Sequence, residues 1–359
     1  MEKELPQRGF QKEIQISAKR KRLTILILAA LTLVLAFFSL FIGSGGLTFA
    51  ESWQAIFRQG DEVNIRIVYL IRMKRMLAAL IAGAGLSFAG LLMQTTLRNP
   101  MASPGTLGVS NAAVLGANIA IIVLSGGYFD SNHGSNWNAT NPYGVSSIAF
   151  IFAFVCILLV LGISKIRNFS PNTVILAGIG LGALYQAITA IIQYFATDTQ
   201  LTSAVYWSFG DLGRASYEEN IIMLVSTSPL IVVFFLFSMR LNALSGGEEF
   251  AKSLGINTSL LRFLSLLAAS FITAVCVSIL GIIGFIGIIA PHIMRMILGG
   301  DHRYLIPSSC LCGSSILLIS GMLSDISLAG AALPVGAVTS LIGAPFFLFI
   351  IFRKKEARL

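Results

Sequence analysis

An all-helical, polytopic membrane protein with about ten spans is the fold class this sequence predicts. Three observations carry the expectation: the 359 residues are 55% hydrophobic and only 11% charged, the mean hydropathy is +0.82, and the charges sit almost entirely between long apolar runs. A hydrocarbon slab about 30 Å thick requires about 20 apolar residues at a helical rise of about 1.5 Å each. Backbone groups in lipid must bond internally, so the runs are expected to be helices. A transmembrane β-barrel would alternate polar and apolar residues over segments of about ten, and these runs do not alternate.

The first run, 23–42, follows Lys19-Arg20-Lys21-Arg22. It resembles a signal peptide, but its length and the lack of a small-x-small cleavage site predict an uncleaved first span. The polar segment 1–18 before it is expected to be a loosely ordered tail. Residues 43–75 then form an outer connection holding an amphipathic stretch, 52–58. Spans follow at 76–97, 107–124, 145–163, 172–196 and 220–238, with a Gly/Asn/Ser-rich loop at 126–144. Residues 261–298 are nearly unbroken and too long for one crossing; Gly281, Gly284 and Gly287 let the chain turn back, giving spans 261–280 and 282–298. The last two are 304–322 and 333–352. The domain organisation is thus a tail (1–22), a transmembrane domain (23–352) with an inner loop at 242–260, and a tail (353–359).

Orientation follows from the basic residues, which short cytoplasmic loops retain. Lys19–Arg22 and Arg353-Lys354-Lys355 each abut a span, and an even span count also puts both termini on one side, the cytoplasm. Of the 25 Lys and Arg, six fall outside (Arg58, Arg66, Arg72, Lys74, Arg75 and Arg214) and the other nineteen inside. The net charge of +9 is therefore mostly topological, and a nucleic-acid partner is not expected.

Cys156, Cys276, Cys310 and Cys312 fall within spans, where they behave as small apolar residues. His133, His292 and His302 lack metal-ligand spacing, so no metal site or cofactor is expected. No catalytic cluster of His, Asp or Glu is legible. The chain contains no Gly-x-x-x-x-Gly-Lys-Ser/Thr phosphate loop, so it is not expected to hydrolyse ATP itself. An ion-coupled secondary transporter is the alternative, but it would hold carboxylates or His at mid-bilayer, whereas Asp198 and Asp325 sit at outer span ends.

Gly83, Gly85, Gly90, Gly178, Gly180 and Gly182 have the small-residue spacing of close helix packing, with motion a further option for Gly178–Gly182. Gln94, Asn111, Gln186 and Gln193 are polar residues within spans. Each either lines a translocation path or makes an interhelical hydrogen bond.

The loop 242–260 has the strongest pattern. Gly246-Gly247 and Gly255 bracket about two helical turns, placing Phe250, Ala251 and Leu254 on an apolar face opposite Glu248, Glu249 and Lys252. Such a helix is either an ordinary connection or a plug that docks in a groove of a cytosolic partner.

Gly247-Glu248-x-x-Ala251-x-x-Leu254-Gly255 resembles the coupling-loop signature of the iron-chelate and vitamin B12 class of ATP-binding-cassette (ABC) import permeases. Arg72-Met-Lys-Arg75, Gly90 through Pro100 and on to Pro104–Ser110, Gly284-Phe-Ile-Gly287 with Pro291-His292, Leu333-Pro334-Val-Gly336 and Gly343-Ala-Pro345 follow in the family's order. The resemblance implies a type II importer permease of ten helices in a prokaryotic plasma membrane. It implies pairing with a second permease subunit, identical or a close paralogue, two cytosolic ATPase subunits below and an extracytoplasmic substrate-binding protein above. The cargo would be a large metal chelate, an iron-siderophore by preference, with haem or cobalamin as alternatives.

By the same resemblance, Arg72, Lys74 and Arg75 would receive the binding protein, Gly247, Glu248, Phe250, Ala251, Leu254 and Gly255 would contact the ATPase, and Ser170, Pro171 and Asn172 would form a cytoplasmic gate. Pro171 equally suits a plain helix start. Two departures stand out: Lys74 replaces a usual Pro, and Asp325 stands where a basic residue is common. A Lys or Arg on the binding protein is the expected complement of Asp325.

Overall fold

The structure, a computed structural model, describes residues 5–43, 45–124, 143–166, 169–325 and 333–356. Every regular element among them is a helix, and they contain no strand. The helices are α1 (Leu5–Ser39), α2 (Phe49–Ile56), α3 (Glu62–Leu97), α4 (Val109–Leu124), α5 (Gly144–Lys165), α6 (Pro171–Tyr194) and α7 (Asp198–Ser208). They continue with α8 (Tyr217–Leu236), α9 (Ser238–Gly246), α10 (Glu248–Ser253), α11 (Thr258–Leu280), α12 (Ile286–Leu298), α13 (His302–Asp325) and α14 (Val335–Glu356).

Each of the ten apolar runs coincides with a helix. Among the described residues seven helices are long and apolar enough to cross a membrane, and Val109–Leu124, Ile286–Leu298 and Val335–Leu348 are shorter. The 13 residues of α12 rise about 20 Å, less than a hydrocarbon slab. The turn before α12 falls where the glycines predicted it: Gly281 has φ +80° and Phe285 φ +65°. Two expectations change. The segment expected to be a loose tail is helical from Leu5, continuous with the first span, and Pro6 in the first turn is compatible with it because its missing N–H costs nothing there. The loop 242–260 begins inside a helix the pattern did not reveal, α9, anchored by buried Leu241 and Leu244. Most of the loop 126–144 lies outside the described residues.

Three helices form the centre. α3, α11 and α13 are mostly buried, whereas α1, α6 and α8 are mostly exposed. The contacts of α3 rely on small residues: a Cβ at Gly83 would meet the Gly313 carbonyl of α13 at 2.6 Å, and one at Gly90 would overlap the Gly287 carbonyl of α12. Ser87 donates to the Ser309 carbonyl (2.7 Å) and Ser314 to the Leu80 carbonyl (2.6 Å), tying α3 to α13 across the seam. On α6, a Cβ at Gly178 would meet Leu107 Cα at 2.6 Å, and one at Gly182 would meet the Asn111 amide at 3.0 Å and Gly108 Cα at 3.4 Å. Packing therefore accounts for these glycines, while Gly180 faces open space.

Candidate functional site

The straight part of α3 runs from Met73, just past Arg72, to Leu97 and α13 returns from His302 to Asp325, so the bundle has two ends, one marked by Arg72 and the other by Gly247. At the Arg72 end, a π-helical stretch, Ile67–Arg72, leads into the straight part of α3. Arg72 is buried. It donates to the carbonyls of Leu40 (2.9 Å), Phe41 (3.1 Å) and Gly43 (3.3 Å) and to Ser52 Oγ (3.0 Å). Those carbonyls follow the last turn of α1, where no intrahelical donor reaches and a cation is favoured. Arg72 thus fastens α1 and α2 to the core and does not present its guanidinium outward.

Arg75 is half-buried and forms an ion pair with Asp325, with Asp211 Oδ1 a further 3.9 Å neighbour. Asp325 therefore already has a cation from its own chain, which removes the need for a basic residue on a binding protein to complement it. Lys74 is half-buried, lies 6.0 Å from the centre of the Tyr217 ring, and has no ion pair among the described residues.

Between the ends, three of the four span amides join helices. Gln94 donates to the carbonyls of Gly287 (3.1 Å) and Ile288 (3.3 Å), Asn111 to Gly182 (3.3 Å), and Gln193 to Asn118 Oδ1 (3.0 Å). Gln186 is exposed on α6, on the stripe that also carries Asn172, Leu176, Ile179 and Tyr194. At the start of α6, Ser170 is the N-cap, its Oγ accepting from the Thr173 N–H, and Pro171 takes the first helical position. The helix-start reading of this tripeptide is satisfied in full; Asn172 alone of the three is exposed.

At the Gly247 end, α10 hangs between Gly247 (φ +141°) and Gly255 (φ +75°), conformations open to glycine. Glu248 accepts from Arg262 of α11 (2.9 Å) and from Lys252 (2.9 Å). The hydrogen bond from Lys252, aided by the Arg262 charge, holds its carboxyl below the usual carboxylate range. The expected apolar face divides: Phe250 (54%) and Leu254 (58%) are exposed, whereas Ala251 (0%) is buried. Ala251 is thus the inward side of α10, because the helix lies on its own chain instead of projecting free. Beside Leu254 a cavity of about 340 Å³ opens, lined in part by Phe237, Arg240, Leu260 and Leu264.

The sequence pattern missed a polar cluster behind this helix. His302, one of the three histidines without metal-ligand spacing, is buried and bonded to Thr95 of α3 and Asn242 of α9. Asn242 reaches Asp301, itself clasped by Arg303. Burial pushes the Asp301 carboxyl up, but the bonds from Arg303 and Asn242 outweigh it and hold it at about 2. Only the Asp301-His302-Arg303 adjacency was legible; its partners lie 60 and 207 residues away. No group of three or more His, Cys, Asp or Glu able to hold a metal ion occurs among the described residues.

The profile of the FecCD transport family matches residues 31–353. An ABC transporter permease protein of Methanocaldococcus jannaschii is 42% identical over 336 residues, covering 93% of this chain and 95% of that protein. The hemin transport system permease protein of Yersinia pestis is 31% identical over 346 residues, 94% of this chain and 97% of its own. Among solved structures, a metal-chelate type ABC transporter in an inward-facing conformation superposes with a TM-score of 0.76 at 29% identity, covering 92% of this chain and 99% of that one.

Proposed function

The chain belongs to the FecCD transport family, and from that premise we propose that it is the membrane-spanning permease subunit of a binding-protein-dependent ABC importer, moving a large metal chelate into the cytoplasm. A separate ATPase supplies the energy, a second permease subunit completes the path, and an external binding protein delivers the chelate at the Arg72 end. The Gly247 end and both tails (1–22 and 353–359) are cytoplasmic in this reading, in keeping with Lys19–Arg22 and Arg353–Lys355 beside the first and last spans.

One observation carries it: α10 is clamped to α11 through Glu248 and Arg262 while Phe250 and Leu254 remain uncovered. A fastened helix with a bare apolar pair suits a partner that pushes on it. The chain has no phosphate loop of its own. The α6 stripe from Asn172 through Gln186 is the face turned to the second subunit, and Ser170, Pro171 and Asn172 form the cytoplasmic gate. Lys74, with the Arg75–Asp325 pair beside it, marks the docking rim. Gln186 contacts the cargo path; Gln94, Asn111 and Gln193 support it from behind.

An ion-driven mechanism would need a carboxylate at mid-bilayer to hold the coupling ion. Among the described span residues, carboxylates occur only near helix ends, at Glu62, Glu218, Glu219 and Asp325. Co-expression with the ATPase and binding protein tests the proposal. Phe250→Arg with Leu254→Arg is expected to insert normally, lose ATPase co-purification and abolish uptake of an iron-siderophore. Full assembly and uptake would overturn it. Parallel uptake of haem and cobalamin by the wild-type complex decides the chelate.

A further inference from the structure

Behind the coupling helix, four polar residues from three elements form one continuous hydrogen-bonded chain. Asn242 Nδ2 donates to Asp301 Oδ1 (2.9 Å), which orients the amide. Its Oδ1, an obligate acceptor, then faces the His302 backbone N–H (2.8 Å) and ring Nδ1 (2.7 Å). The ring proton is therefore on Nδ1. In the neutral imidazole that leaves Nε2 as the acceptor for the Thr95 hydroxyl at 2.8 Å. Each group has one role only, so the chain has a single direction: Thr95 to His302 to Asn242 to Asp301. His302 and Thr95 are both buried, so water does not compete at the bond between them, and the links through Asn242 to Asp301 are part-buried.

The position of this chain gives it a purpose beyond packing. Asn242 lies in α9, which passes through the single residue Gly247 into α10. Thr95 lies in the last turn of α3, the helix at the centre of the bundle. His302 opens α13, which packs along α3 and ends at Asp325 on the opposite rim. A parallel tie runs from Arg98, just past α3, to the Leu244 carbonyl of α9 (3.1 Å). A displacement of α10 thus reaches the core through α9, with His302 at the junction.

We propose that the Thr95–His302–Asn242–Asp301 chain is the transmission between the coupling helix and the central α3–α13 pair, with His302 the positioning residue at its junction. The inference rests on the reading of α10 as the ATPase contact. It assigns the chain no part in ATP hydrolysis or in holding cargo. Its loss separates the two: the ATPase still binds and turns over, but its strokes no longer move the core.

The test uses the full transporter in proteoliposomes, with iron-siderophore import and ATP hydrolysis measured together. Thr95→Val removes the hydroxyl while keeping shape, and Thr95→Ser restores it. Thr95→Val and, separately, His302→Ala are expected to lower chelate imported per ATP about fivefold, the scale of a coupling term of about 1 kcal/mol. ATPase co-purification stays at the wild-type level, and Thr95→Ser regains the wild-type ratio. An unchanged ratio in Thr95→Val overturns the proposal, as does an equal loss in Thr95→Ser, which would make the effect steric. Phe250→Arg with Leu254→Arg serves as the control arm. If that variant imports normally, the ATPase contact itself is wrong. If it fails while Thr95→Val keeps its ratio, only the transmission is wrong.

Discussion

The two ends of the bundle use charge in opposite ways. At the Arg72 end the cations turn inward: Arg72 caps the carbonyls beyond α1 and Arg75 pairs with Asp325. At the Gly247 end, charge clamps a short helix in place, through Glu248 and Arg262, and leaves Phe250 and Leu254 bare. The first arrangement yields a stiff rim with few unpaired charges, suited to a partner that arrives and departs. The second yields an apolar contact on a rigid mount, suited to a partner that stays and transmits force.

Ala251 and Phe250 give the sharpest way to break this contrast, since adjacent residues should respond differently. Ala251→Arg places a charge in a fully buried position and is expected to destabilise the permease by several kcal/mol, about 3 or more. Phe250→Arg, at an exposed position, should shift stability by no more than about 0.5 kcal/mol. Thermal unfolding in detergent decides it; equal effects would mean α10 is not seated as described.

At the other end, Arg72→Ala leaves buried carbonyls without a donor and should cost about 3 kcal/mol, read as a lower melting temperature rather than as a change in binding-protein affinity. Asp325→Ala leaves the half-buried Arg75 with Asp211 as its remaining acidic neighbour and should cost less, about 2 kcal/mol. A docking defect without destabilisation in either variant would show that these cations face the partner after all. Lys74→Glu should leave stability within about 0.5 kcal/mol, slow binding-protein association and flatten its salt dependence.

The smallest effect concerns pH. Folding depresses the Glu248 carboxyl, so its contribution is present above the ordinary carboxylate pKa and is lost only as pH falls through the lower folded value. Hydrogen exchange in α10 should therefore stay protected at pH 5 and loosen below pH 4 or so. Glu248→Gln should show the loosened exchange at every pH.

Much of this was legible in the chain. The ten apolar runs coincide with helices because lipid leaves the backbone no alternative, and Gly281 marked a turn that its positive φ requires. The glycines bracketing α10 were equally plain. What escaped was every feature built from distant residues. Arg75 and Asp325 are 250 positions apart, and Thr95 and His302 are 207 apart; no local pattern couples them. The inward turn of Ala251 escaped because helical periodicity gives a face its width but not the neighbour it meets. Three of the four span amides join helices, an outcome the chemistry of an amide in lipid allowed but did not select.

Site-specific photo-crosslinking in the assembled transporter tests the contrast most directly, with one photoreactive residue at position 254 and another at position 74. The account predicts that position 254 captures the ATPase and position 74 the external binding protein, each without the other. Capture of the ATPase from position 74, or none from position 254 in a complex that hydrolyses ATP and imports chelate, would contradict it.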